Sequence, residues 1–320
     1  MNFKKFLLIG AIVLSSHVNA AELQSHKIFS ILEQGGTQSA QTIKEEGKSL
    51  YQTLFSKLKS AGMTTLDDKS IPVDIQVIDT PKSSMSHLKF TAFADNDEKT
   101  NSDNVRIIFN SNGKVAAPVT KETGSFANNN QKIHDGNYLE FTILHELGHL
   151  QHDKMGYMHS KTMKSMTIDE KSFINNEKEK DYNRSVDGRH QEQTADMLAA
   201  VWHLKNNNFS QESIDTIKSF RDNRKEDLKN IQAKSGKEII SYDTAPGLTF
   251  VLNNLDEIKK VNGNQVLDYV SEKSSQLTKD YAQSINNPPT IKPLSSTLAN
   301  IQNIRNSSLN NQTSNSLKLK

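Results

Sequence analysis

Residues 137–152, with the sequence NYLEFTILHELGHLQH, constrain the fold more than any other stretch of the chain. Apolar residues dominate the stretch and recur at helical spacing, which predicts a helix apolar enough to be buried. Asn137 belongs to the residue types that cap helix N-termini, and Glu140, three positions later, completes the pattern of a capping box. We therefore expect the rest of the chain to be arranged around this helix.

Three polar residues inside the stretch, His145, Glu146 and His149, spell the pattern H-E-x-x-H. Residues four apart lie on one helix face, so both imidazoles can reach one point, as a tetrahedral zinc ion requires. Glu146 is rotated by about 100° from His145, which places its carboxylate beside the ion, where it can act on water. This is the pattern of zinc peptidases. The alternative is two ordinary histidines on a buried helix, with Glu146 in an ion pair.

A third ligand is needed, because catalytic zinc takes three protein ligands and leaves one position for water. The best candidate is Glu192, in a second strongly helical stretch at residues 190–205. Asp196, one turn further on, is expected to accept the free N–H of a zinc-binding histidine and to fix its tautomer. Asp196 or His190 as the third ligand is the alternative. Small residues that would let this helix approach the first one closely are Ala195, Ala199 and Ala200.

The first helix itself does not offer a third ligand. His152 shares the face of the other two histidines, but it lies two turns from His145, about 10.5 Å along the axis, which is too far. The metzincin extension requires a glycine three residues after His149 and a histidine three residues beyond that. His152 and Met155 occupy these positions, which excludes the metzincin class.

Residues 145–149 (HELGH) and 192–199 (EQTADMLA) resemble the gluzincin pattern HExxH…ExxAD, closest to the CAAX-protease/HtpX type of zinc metallopeptidase. The resemblance covers only the two helices. Integral membrane members of that family carry transmembrane helices that this chain lacks, so we expect a soluble, exported relative or a separate gluzincin family. The site residues that the resemblance implies are the zinc ligands His145, His149 and Glu192, the general base Glu146, and Asp196 behind the ligands.

Residues 1–20 have the features of a secretory signal peptide. Lys4 and Lys5 precede an uncharged apolar core at residues 6–14, and small residues at 18–20 form a cleavage site. The segment is too short to span a bilayer comfortably, and no later segment is apolar for long enough. We expect an exported protein, periplasmic or extracellular, without stable membrane insertion after cleavage. The alternative is an uncleaved N-terminal anchor.

Charge and cysteine content exclude several classes of function. Lys4 and Lys5 are two of the 39 basic residues, so the chain without its signal peptide has equal numbers of basic and acidic residues, 37. This balance provides no electrostatic basis for binding nucleic acid or membrane surfaces. The chain has no cysteine, which excludes disulfides and thiolate metal sites and leaves imidazole and carboxylate as ligands.

Periodicity predicts an α+β protein: a zincin-like catalytic domain at residues 21–285, followed by a flexible Asn/Ser-rich tail at 286–320. Strands are expected at 71–78, 88–93 and 105–109, and a fourth at 114–119. A free edge strand of this sheet could bind an extended peptide by strand addition, but the pattern does not identify the edge. The expected order of the domain is N-terminal helices at 21–66, a small mixed sheet at 71–119, active-site helices at 137–152 and 190–205, and a largely helical part at 210–285.

Together these features predict a zinc-dependent endopeptidase that acts on a protein or peptide substrate, with Glu146 as the base that activates water. A further donor to the developing oxyanion is expected. Its candidates are His190, His203, Tyr157, Tyr182 and the arginines. The main alternative function is a secreted binding or effector protein with a structural or non-catalytic zinc site. A second alternative is hydrolysis of another amide, such as a peptide cross-link of the cell wall.

Overall fold

The structure is a computed structural model, and it describes residues 20–34, 37–67, 71–78, 90–97, 102–110, 135–155, 186–235 and 243–286. Within these residues the chain is mostly helical with one small sheet, which agrees with the predicted α+β class. The predicted signal peptide up to residue 19, the fourth strand at 114–119 and residues 287–320 of the predicted tail lie outside the described residues. No helix of the described part is both long and apolar enough to cross a membrane.

The described elements follow one another along the chain as α1 Ala20–Gln34, α2 Thr37–Ser60, β1 Val73–Ile78, β2 Phe90–Asp97, β3 Ser102–Asn110, α3 Asp135–Met155, α4 Val186–Asn206, α5 Gln211–Ser235, α6 Ala245–Asn253, α7 Leu255–Lys260, a 3₁₀ turn Gly263–Gln265, and α8 Val266–Asn286. The chain divides into two compact units, Met1–Asp280 and Tyr281–Lys320. Of the second unit, the structure describes only the end of α8.

The sheet is mixed, with strand order β1-β3-β2. β1 pairs with β3 in parallel, and β2 pairs with β3 antiparallel from Phe90↔Phe109 to Asp97↔Ser102. The strand predicted at 88–93 therefore continues four residues further than expected. Residues 95–97 are Asp and Asn, which are poor strand formers, but backbone pairing with β3 overrides that local preference.

Helices α3 and α4 pack directly against each other and form the centre of the fold. Residues 192–204 of α4 are all buried, so this helix is covered on every side. A Cβ atom on Gly148 would lie 2.9 Å from both Cα and O of Ala195, a distance that real side chains do not reach. The predicted close approach of the two helices is therefore confirmed at Ala195, and it requires glycine at position 148.

Aromatic rings join the sheet to the start of α3. The ring of Phe90 lies 5.6 Å from that of Tyr138, and Phe220 of α5 stacks on Tyr138 at 4.5 Å and on Phe141 at 4.0 Å. Such pairs contribute about 0.5–1.5 kcal/mol each beyond the area they bury. They hold α3 between β2 and α5.

The capping box predicted at the start of α3 is wrong. The helix begins at Asp135, so Asn137 lies inside its first turn, where Nδ2 donates to Oε1 of Glu212 at 2.7 Å. Glu140 accepts instead from His203 at 3.0 Å. Both side chains have found partners on other helices, which local spacing cannot foresee.

Candidate metal centre

Three side chains from α3 and α4 converge on one point. Nε2 of His145 lies 3.1 Å from Nε2 of His149, and Oε2 of Glu192 lies 3.5 Å and 3.7 Å from these two nitrogen atoms. All three donor atoms lie within 4.8 Å of one another. This group could hold a metal ion.

The triangle of donors has the size that a small tetrahedral ion needs. With metal–ligand distances of about 2.0–2.1 Å, neighbouring ligands of a tetrahedral zinc ion lie about 3.3 Å apart. The donor set fits as well, since two imidazoles and one carboxylate suit zinc and other divalent transition metals. His145 is 9 % exposed and Glu192 7 % exposed, so water competes little for either side chain.

The side chains of the group carry opposite charges that attract one another. Burial alone would raise the pKa of Glu192, but His145 and His149 lower it below its usual range. Burial alone would lower the pKa of His145, but the carboxylates of Asp196, Glu192 and Glu146 raise it to about 10. With this pKa the His145 ring is protonated at neutral pH when no metal is bound. Its positive charge then lies among the carboxylates of Asp196, Glu192 and Glu146.

Asp196 lies directly behind His145. Its Oδ1 atom is 2.8 Å from Nδ1 of His145, so the two side chains form a close ion pair. A carboxylate at this place orients the ring and leaves Nε2 as the atom that faces the donor group.

Asp196 is itself fixed by two residues that were not predicted from the sequence. Arg224 of α5 donates from Nε and Nη2 to the two carboxylate oxygens, both at 3.0 Å, and Thr244 Oγ1 donates at 2.5 Å. All three side chains are buried. Burial alone would raise the pKa of Asp196, but Arg224 and His145 hold it far below its usual range.

A signal for Arg224 exists in the sequence. Ile217, Phe220 and Arg224 occupy one face of α5, at steps of three and four residues, and the first two are buried apolar residues. A lone arginine that continues an apolar stripe needs a buried partner of opposite charge. Nothing in the local sequence, however, indicates that this partner is Asp196.

Glu146 lies beside the donor group and contacts the sheet. Its Oε2 atom accepts a hydrogen bond of 2.6 Å from the backbone N–H of Ala94 in β2. Burial raises the pKa of the Glu146 carboxyl, although the charges of His145 and His149 act in the opposite direction. A raised pKa makes the Glu146 carboxylate a stronger proton acceptor than an ordinary glutamate.

The remaining candidates lie outside the donor group. His152 packs its ring 5.3 Å from that of His190, and His190 Nδ1 lies 3.1 Å from Thr278 Oγ1. His152 is thus not a member of the three-donor group, as its spacing predicts. His203 contacts Glu140. Tyr157 and Tyr182 lie outside the described residues.

Comparisons of the chain with protein-family models, with curated proteins and with solved structures find no match. What the site can do has to follow from its own side chains. These are three convergent donors, the half-buried carboxylate of Glu146 with its raised pKa next to them, and the ion pair of Asp196 with Arg224 behind His145.

Proposed function

We propose that the chain is an exported zinc-dependent endopeptidase with a zincin-type arrangement of its catalytic helices. His145, His149 and Glu192 bind the zinc ion, Glu146 is the general base, and Asp196 orients His145. The observation that supports this most directly is the triangle of donor atoms 3.1–3.7 Å apart on two packed helices. A zinc ion bound there would lower the pKa of a water molecule and polarise a peptide carbonyl.

Glu146 is the residue that moves the proton. Its neighbour His145 is a proposed ligand, and the helix turns its carboxylate to the side of the donor group that faces β2. It takes a proton from the attacking water and later delivers this proton to the leaving amine. The raised pKa of Glu146 favours the first transfer, because it makes the carboxylate a stronger base. The hydrogen bond from Ala94 keeps the carboxylate at this place before substrate arrives.

The outer edge of β2 is the surface along which we propose that the peptide substrate binds. Among the described strands β2 pairs with β3 alone. Val105 donates its N–H to Pro72, away from β2, so the paired residue Ala94 turns its own N–H away from β3. By the same alternation the backbone groups of Ala92 and Asn96 point outward, on either side of Glu146, where an extended peptide could pair with them.

The first experiment compares zinc content and turnover of casein and a peptide library for the mature protein and two variants. Glu146→Gln should keep about one zinc ion per chain and lose turnover by about 10²–10⁴-fold, because it removes the base and no ligand. Glu192→Ala should lose both zinc and turnover, since only two donors remain.

Two results would contradict the proposal in different ways. If the protein binds zinc and neither variant changes any activity, the endopeptidase fails and a binding protein with a non-catalytic zinc site replaces it. If Glu192→Ala keeps full metal and turnover while Asp196→Ala loses them, the enzyme stands and Glu192 is not the third ligand. Murein as a parallel substrate separates peptidase activity from hydrolysis of cell-wall cross-links.

Export is tested separately. We propose that signal peptidase cleaves after Ala20, so mass spectrometry of the protein recovered outside the cytoplasm should find Ala21 at its N-terminus. An intact N-terminus on the exported protein would instead support the uncleaved anchor. Neither outcome affects the proposed chemistry of the metal centre.

A further inference from the structure

Two residues of α4, Gln193 and Thr194, are buried but play no part in the proposed metal centre. They lie in the chain between Glu192 and Ala195, which both approach α3. Successive residues of a helix are about 100° apart, so Gln193 and Thr194 point about 100° and 200° away from Glu192. Their side chains are therefore directed to the elements on the other sides of α4, away from the two histidines.

The carboxamide of Gln193 is held at both ends. Its Nε2 atom donates to the carbonyl oxygen of Ser274 at 3.2 Å and to Thr278 Oγ1 at 3.3 Å, both on α8. Its Oε1 atom accepts from Nη1 of Arg189 at 3.4 Å. Helix α6 leaves this side chain little room to move, because a Cβ atom on Gly247 would lie 2.8 Å from Gln193 Cγ.

Thr194 makes a second connection to α8. Its hydroxyl donates to the carbonyl of His190 at 2.7 Å, and a hydroxyl carries only one proton. Ser274 therefore donates its own proton to Thr194 Oγ1, at 2.7 Å. A third connection joins Thr278 Oγ1 to Nδ1 of His190, 3.1 Å apart. Each of these four side chains is at most 1 % exposed, so water does not compete for the contacts.

These hydrogen bonds fix the rotation of α4 about its own axis. Apolar packing has no preferred direction, whereas a hydrogen bond weakens steeply when its angle changes. An atom at the outer radius of a helix, about 5–6 Å from the axis, moves by about 1 Å when the helix turns by about 10°. Metal–ligand distances vary by only about 0.2 Å. A small rotation of α4 would thus move the Glu192 carboxylate further than a zinc ion on His145 and His149 tolerates.

We propose that Ser274 and Thr278 are positioning residues of the metal centre, which act through Gln193 and Thr194 on the reach of Glu192. This role rests on the proposed function, because it requires that Glu192 binds the metal ion. The two hydroxyl groups bind neither the ion nor a substrate. Helix α8 contributes instead the fixed surface against which α4 takes up a single orientation.

The test measures the zinc affinity of the mature protein and its variants by competition with a chromophoric chelator. The double variant Ser274→Ala/Thr278→Val should bind zinc at least about fivefold more weakly, within the range of about 2- to 30-fold for networks of packed side chains. The visible absorption bands of the cobalt(II)-loaded protein should change as well, since they report the geometry of the donor atoms. Thr278→Ser keeps the hydroxyl and its hydrogen bonds, so it should stay within about twofold of wild type.

Ser271→Ala is the matched control. Ser271 lies three residues before Ser274 on α8 and is also buried, but among the described residues it makes no side-chain hydrogen bond to α4. Its replacement should leave zinc affinity within about twofold of wild type, as for sites that share no partners. A role in stability alone would lower the Tm of the double variant and leave both its zinc affinity and its cobalt(II) bands unchanged.

Unchanged zinc binding in the double variant, or an equal loss in Ser271→Ala, would show that the hydroxyl groups of α8 do not position Glu192. If the double variant is misfolded by circular dichroism, the single variant Thr278→Val decides, and it should bind zinc at least about threefold more weakly than Thr278→Ser. A wild type that binds no zinc contradicts the proposed function as well. The two failures are therefore distinguishable.

Discussion

Helices α3 and α4 bring histidine and carboxylate together at two places, and only one of them can hold a metal. At the metal centre, His145 and His149 meet Glu192 at one point. At the other place, Glu140 Oε1 accepts from His203 Nδ1 at 3.0 Å and from Asn207 Nδ2 at 3.1 Å. Both carboxylates are buried, Glu140 at 1 % exposure and Glu192 at 7 %.

The difference between the two places lies in convergence and not in residue type. Glu140 accepts hydrogen bonds from His203 and Asn207 and so completes a buried polar contact. No second histidine lies one helical turn from His203. Glu192 faces two imidazoles that the i, i+4 spacing has already placed side by side. A buried histidine–carboxylate pair by itself serves the packing of the fold. A second imidazole that converges on the same point makes it a site for an ion.

The sharpest test of this comparison removes each carboxylate in turn. Glu192→Ala should weaken zinc binding by more than about 100-fold, because a ligand is lost. Replacing a residue that only supports a ligand weakens metal binding by at most about 100-fold. A competition titration with a chromophoric chelator measures the change. If the loss is smaller than tenfold, Glu192 is not a ligand, and its role does not differ from that of Glu140.

The pH dependence of zinc binding should be the next largest effect. His145, with its pKa raised to about 10, carries a proton in the metal-free protein that zinc has to displace. Proton release on binding means that affinity rises with pH, by about tenfold per unit and thus about 100-fold from pH 7 to pH 9. The chelator titration, corrected for the chelator's own protonation, measures this slope. Asp196→Asn removes a charge that raises this pKa and should flatten the slope; a flat profile in the wild type would refute the assignment.

The second layer behind His145 should have an intermediate effect. Arg224→Met leaves the buried Asp196 without its bidentate partner, which should weaken zinc binding by about 10–100-fold. Breaking a buried ion pair should also lower the free energy of unfolding by about 3–5 kcal/mol. Chelator titration and urea denaturation measure the two quantities.

Arg221→Met is the matched control for Arg224. Arg221 lies on the same helix and, among the described residues, pairs only with its neighbour Asp222, near the surface. Its replacement should change the unfolding free energy by less than about 0.5 kcal/mol. Equal effects of the two substitutions would show that Arg224 does not act through Asp196.

The smallest effect on zinc is expected at the second histidine–carboxylate pair. Glu140→Gln keeps the size of the side chain and should leave zinc affinity within about threefold of wild type. It should lower the free energy of unfolding by about 1–3 kcal/mol, because His203 and Asn207 lose a charged acceptor. A loss of zinc comparable to that of Glu192→Ala would mean that the two places are not independent.

The parts of this site that lie within one helix could be predicted from the sequence, because helical spacing depends only on residues a few positions apart. The placement of His145 and His149 follows from helical spacing alone, and Glu192 with Asp196 follows from the same rule on a second helix. The capping box at Asn137 failed although its pattern was equally good. A local pattern holds only where no distant partner offers a better contact, and Glu212 and His203 offered one.

The sequence by itself determined which residues share a helix face, that the two motif helices are buried, and that a sheet precedes them. Only the tertiary structure decided that Gly148 lets α4 approach α3, that Arg224 and Thr244 fix Asp196, and that β2 presents Glu146 with a backbone N–H. Spacing along one helix is set by covalent geometry and backbone hydrogen bonds, so it can be read from the chain. Contacts between elements depend on how their surfaces pack, and that packing is determined jointly by residues that lie far apart in the chain.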